Sequence, residues 1–170
     1  AVTIKADLPR VRKGFFGWFG DNNEAIRVEY VVRVPHETDL DIESVNGRID
    51  IEEVGGMFRV KTVNGGIDMD MLGGEGDVGT VNGGIGCSIR DFPHGGELNV
   101  KTLNGSVEIG LPGDLDAELD LKTTNGRIRV GFDIEDARTV KKRRVRATVG
   151  KGDGLVQVRT LNGGIRIGEL

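Results

Sequence analysis

At 170 residues, with 28 glycines against 4 prolines and 37% hydrophobic residues, the chain can bury a core and must turn often. Its net charge of −4 argues against a nucleic-acid partner, which calls for a clearly basic face. The single cysteine excludes an internal disulfide and a multi-cysteine metal site, two histidines leave little imidazole for a metal, and no apolar run of about 18 residues is present to span a membrane.

The chain begins at Ala1 rather than Met, as a trimmed or mature product would. Residues 1–10 read as a first strand, with Val2 and Ile4 alternating against Thr3 and Lys5. Phe15, Phe16, Trp18 and Phe19 follow, set among glycines and preceded by Arg10, Arg12 and Lys13. Such a loop either caps the open end of a repeat array or touches a membrane surface or a partner. Capping is the expectation, because arrays of repeats need covered ends. From Ala25 to Val34 the alternation of Ile26, Val28, Tyr30, Val32 and Val34 predicts a half-buried strand ended by Pro35. His36 is expected in a solvated turn.

The repeat then begins. Six Asn-Gly pairs start at Asn46, Asn64, Asn82, Asn104, Asn125 and Asn162, at steps of 18, 18, 22, 21 and 37. Two places before each Asn stands Ser44, Thr62, Thr80, Thr102, Thr123 or Thr160, and three places after it Ile49, Ile67, Ile85, Val107, Ile128 or Ile165. The period is 2 on both sides of the pair, so each coil holds two short strands meeting at an Asn-Gly corner. Isolated type I′ hairpins would use Asn-Gly too, but they need no identity from one repeat to the next. Stacked coils do, because Thr lies on Thr, Ile on Ile, and Asn on Asn in an amide ladder. The prediction is an all-β, right-handed parallel β-helix of about seven coils with 18–22 residues each. Positive φ is expected at the corner glycines. Val45, Val63, Val81, Leu103 and Leu161 precede the Asn column. They either form an outward apolar stripe or, as preferred here, kink into the core.

The long last step suggests a coil that has lost its signature. In its place lie acidic residues from Asp133 to Asp136 and then the basic run Lys141, Lys142, Arg143 and Arg144. A solvated edge hairpin is the expectation, and a site for acidic glycans or anionic lipid the alternative. The whole is read as one solenoid domain over 1–170, with residues 1–25 as strand and cap, 26–132 as regular coils, and 133–170 as charged insertion and final coil.

For chemistry, the alignment collects one group of carboxylates: Asp50, Glu52, Asp68 and Asp70, at equivalent outward positions of adjacent coils. An inert acidic face is expected. A calcium site and a paired-carboxylate glycosidase or lyase site are the alternatives, the latter as a Ca²⁺-dependent enzyme acting on acidic polysaccharide. Cys87 falls in an inward column and reads as a small core hydrophobe. No Ser-His-Asp grouping or phosphate-binding loop is supported, so no enzyme and no cofactor beyond that cation is expected.

The spaced pattern [Ser/Thr]-[Val/Leu]-Asn-Gly-x-Ile, the lead-in Val28 to Pro35, and the close from Thr148 to Ile165 resemble the adhesin-labelled β-solenoid family of unknown function found in bacterial envelope proteins. The resemblance covers roughly residues 26–170. It implies a right-handed single-stranded β-helix, an extracytoplasmic or membrane-attached setting and no known enzymatic activity; some relatives belong to envelope-stress systems. The expected role is therefore a non-catalytic binding or scaffold module, with an envelope component or a peripheral membrane contact as partner. A structural rod that oligomerises through its edge or ends is a further alternative.

Overall fold

A computed structural model describes residues 31–132, 136–141 and 143–170, the second of these segments by its backbone alone. Its coils form one compact unit over Arg33–Leu170. The first strand, the aromatic loop with Phe15, Phe16, Trp18 and Phe19, most of the predicted 25–34 strand, and Lys142 lie outside the described residues. Of that second strand, residues 31–34 have no regular structure, and Val31 and Val32 are exposed.

Six coils are present among the described residues, each a pair of strands meeting at Asn-Gly. They are β1 (Leu40–Glu43) with β2 (Ile49–Val54), β3 (Met57–Asn64) with β4 (Ile67–Gly73), and β5 (Glu75–Asn82) with β6 (Ile85–Asp91). Then come β7 (Glu97–Asn104) with β8 (Val107–Leu111) and β9 (Ala117–Thr123) with β10 (Ile128–Val130). After β11 (Asp136–Lys141) and β12 (Arg144–Val149), the chain closes with β13 (Gly154–Asn162) and β14 (Ile165–Glu169). First strands of the coils stack in one parallel sheet and second strands in another. The core lies between them. Val60, Val78, Val100, Val158 and Leu121 line one column, and Met69, Cys87, Ile109 and Ile167 another, all buried. The fold is a parallel β-solenoid.

The stacking order departs from the expectation. The eight-stranded sheet runs β1-β3-β5-β7-β13-β9-β12-β11, so the last coil is inserted between the fourth and the fifth. Thr160 pairs in register with Thr102 on one side and Thr123 on the other. Where a lost coil was predicted, the charged segment forms the expected edge hairpin, antiparallel: β12 lies against the outer edge of β9, and β11 against β12. That makes six coils rather than about seven. Inward-facing Val145, Ala147 and Val149 of β12 are buried and extend the core past the last coil. The reason is geometric. After β10 the hairpin carries the chain along the far side of β9, and β13 then enters between β7 and β9.

Candidate functional site

At the Asn-Gly corners, in the order Asn46, Asn64, Asn82, Asn104, Asn162, Asn125, each side-chain amide from Asn64 onward donates to the side-chain carbonyl of the preceding Asn, over 2.7–3.0 Å. The predicted ladder is thus present, but it runs on the exposed outside of the corner while the threonines point inward. Thr80, Thr102, Thr160 and Thr123 donate their hydroxyls to the carbonyls of Gly65, Gly83, Gly105 and Gly163 in the adjacent coil. A buried threonine therefore satisfies a corner carbonyl that the sheet ladders do not use. The expected positive φ holds at Gly47 only among the six corner glycines. At Gly65, Gly83, Gly105, Gly126 and Gly163, a Cβ would fall within 3 Å of the corner glycine's carbonyl oxygen one coil away. Close approach of backbones, not handedness, demands glycine there. These corners hold the scaffold together.

The carboxylate group is divided between arginines. Arg48 reaches Asp50 at 2.6 Å and Asp68 at 2.9 Å, and Arg90 reaches Asp70 at 2.8 Å; Glu52 joins neither pair. The hydrogen bond to Asp50 and the charges of Asp68 and Asp50 raise the Arg48 pKa above its ordinary value. Arg48 thus bridges Asp50 and Asp68 and Arg90 holds Asp70, so these three carboxylates already have cationic partners. Sequence alignment by columns missed this, because Arg48 and Arg90 lie outside the column that holds the acids. The surrounding surface is an open depression that includes Cys87, Ser88 and Glu108.

Among the described residues, one grouping brings three donor atoms within 4.8 Å of one another: His94, Asp116 and Asp153, in the loops at the opposite corner. Its atoms already have structural work. Asp116 Oδ1 accepts the N–H groups of Gly152 at 2.5 Å and Asp153 at 3.2 Å, and His94 lies 3.3 Å from the Asp153 carboxylate. Desolvation pushes the Asp116 carboxyl up, but the backbone N–H groups of Asp153, Gly152 and Lys151, with His94, bring it below the usual value. This staple aligns Gly154 with Ala117 and so aims β13 into its slot. His36, expected solvated, is exposed, and its Nδ1–H donates to the Glu53 carbonyl at 2.7 Å.

Cys87 is buried as expected, and burial pushes its thiol up to about 12. At pH 8 the folded protein should react with an aromatic disulfide reagent about a thousandfold more slowly than the urea-unfolded chain. Comparable rates in the two states would place the sulfur outside the core.

The outward side of the eight-stranded sheet carries the most organised surface. Val45, Val63, Val81, Leu103 and Leu161 are between 38% and 62% exposed, so the apolar stripe exists and the preferred inward kink does not. Alternation continues as far as Val63, with buried Thr62 separating outward Lys61 from outward Val63, and ends at the exposed Asn64. Two residues before the stripe, backbone register aligns Lys61, Gly79, Lys101, Arg159, Lys122 and Arg144 across six neighbouring strands. Of the predicted basic run, Arg144 thus joins this row from the hairpin edge, and Arg143 is exposed beside it. Arg144, Arg146 and Arg159 surround one carboxylate, Asp120, at 3.8, 3.3 and 3.7 Å. Among the described residues, Asp120 Oδ1 and Arg144 Nε are buried without a hydrogen-bond partner. The row was hidden in the sequence because its members come from non-consecutive strands, one of them inserted.

A family model described as Toastrack DUF4097 matches residues 55–168. No curated protein and no solved structure matches the chain.

Proposed function

Because the chain belongs to the Toastrack DUF4097 family, a β-solenoid domain of unknown function, we propose from its surface that it is a non-catalytic binding or scaffold module of the bacterial envelope. The observation that carries this reading is the long outward sheet face, where an apolar row and a cationic row run side by side on β3, β7 and β13 and the cationic row continues onto β9 and β12. A face of that kind contacts something extended, whereas an enzyme gathers a few groups into an enclosed cleft. The envelope setting rests on the resemblance of the repeat.

The test sets turnover against binding. Incubation with acidic polysaccharides, with and without Ca²⁺, is expected to release neither reducing ends nor unsaturated products. Retention on immobilised dextran sulfate at low salt is expected, and the paired change Lys101→Glu and Lys122→Glu should weaken it about tenfold or more. Polysaccharide cleavage that disappears with Asp68→Asn and Asp70→Asn would overturn the reading in favour of a β-helix enzyme.

A further inference from the structure

We infer that the outward face of the eight-stranded sheet docks onto an anionic lipid surface, a step that rests on the binding-module reading above. The chain carries a net charge of −4, yet along one line of this face five of six consecutive positions are Lys or Arg. From Lys61 to Arg144 that line crosses six strands, about 24 Å at the spacing of neighbouring strands. Among the described residues the excess is locally greatest around Asp120, where three arginines surround one carboxylate. Anionic headgroups complement such a line.

Charge alone would serve a soluble polyanion equally well. The apolar row decides between them. Val63, Leu103 and Leu161 follow Lys61, Lys101 and Arg159 at two residues along the same strands, about 7 Å away, and Val81 continues the apolar row between them. They stand on the last outward positions before the corner, on an outer edge of the solenoid. A membrane interface offers phosphates at one depth and acyl chains a few ångströms deeper, so it can meet both rows at once. A hydrated polymer meets only the first. The row also contains one gap, Gly79, flanked by Lys61 and Lys101. A Cβ at Gly79 would have only ordinary contacts, 3.7 Å to the Lys101 carbonyl oxygen and 4.0 Å to Lys61 Cγ, so a lysine fits there without distortion.

The experiment is co-sedimentation of the full chain with vesicles of phosphatidylcholine, or of phosphatidylcholine with 30 mol% phosphatidylglycerol (~30 %, a loading that gives a strong surface potential), with dextran sulfate binding measured in parallel. The protein should bind the anionic vesicles and not the neutral ones. Gly79→Lys should tighten that binding about fivefold, and Lys101→Glu with Lys122→Glu should weaken it about tenfold or more. Leu103→Ser with Leu161→Ser, at exposed positions that folding tolerates, should cost about tenfold on vesicles and leave dextran sulfate binding unchanged. Three outcomes would overturn the inference. If vesicles are not bound while dextran sulfate is, and the cationic row governs it, the module reading stands and its ligand is a soluble polyanion. If neither ligand responds to any of these variants, both readings fail together. A dimer in light scattering that the paired serine change dissolves, without vesicle binding, assigns the apolar row to a second copy of the chain.

Discussion

Gly83→Ala is expected to lose about 3 kcal/mol of stability or more, while Gly47→Ala, in the same column, loses about 1 kcal/mol. The two glycines differ in what lies beneath them. A Cβ at Gly83 would come within 3 Å of the carbonyl oxygen and carbon of Gly65 and of the Gly66 nitrogen, all of them backbone atoms of the adjacent coil. No rotamer relieves such a clash, so the coils must separate. Separation breaks the Thr80 bond to that same Gly65 carbonyl and stretches the Asn82–Asn64 rung. At Gly47 there is nothing within 4 Å, and the cost is the φ of +116° that a side chain disfavours. Urea unfolding of the two variants, fitted with a shared slope, measures the difference. Equal effects would mean that the coils part at little cost, and that close coil contact does not select glycine at Gly83.

Much of this was legible in the sequence, and what was not has a common cause. Period 2 on both sides of Asn-Gly set the strands, and the repeated Thr, Asn and Ile set the stacking of one coil on its neighbour. Those signals are local to a coil. They say that Thr160 stacks on a threonine but not which one, since Thr102 and Thr123 look alike to it. For that reason the insertion of the last coil escaped, and with it the cationic row that passes through Arg159. The carboxylates illustrate the same limit. Asp50 and Asp68 align by column, whereas their partner Arg48 sits at the corner and reaches both from outside the column. Outward exposure of Val63 and its equivalents was within reach. Alternation predicted it, and the preference for a kink overrode a rule that the strand obeys as far as Val63 and leaves only at the exposed Asn64.

Removal of residues 151–170 should abolish the cooperative docking of everything after the fourth coil. In a solenoid wound in chain order, losing the final coil removes one interface and uncovers a new end. Here the final coil is interior. Its loss removes β13 from between β7 and β9, and β14 from between β8 and β10. The strands left behind stand two spacings apart, about 9.6 Å, beyond the reach of any hydrogen bond. Five buried side chains go with it: Val156, Val158, Thr160, Ile165 and Ile167. The four aliphatic ones contribute about 1.5–3 kcal/mol each by burial, together comparable with the 5–15 kcal/mol of net stability that holds a typical domain folded. The truncated chain is therefore expected to be no more stable than one ending at Leu111, because β9, β10 and the hairpin have nothing to dock on. Thermal and urea transitions of the two truncations, followed by circular dichroism, would be superimposable, and the longer one would bind a hydrophobic dye. A longer fragment that unfolds cooperatively at a higher midpoint would mean that β9 can pair directly with β7. The inserted position of β13 would then be one of two available registers, not the arrangement on which the fifth coil depends.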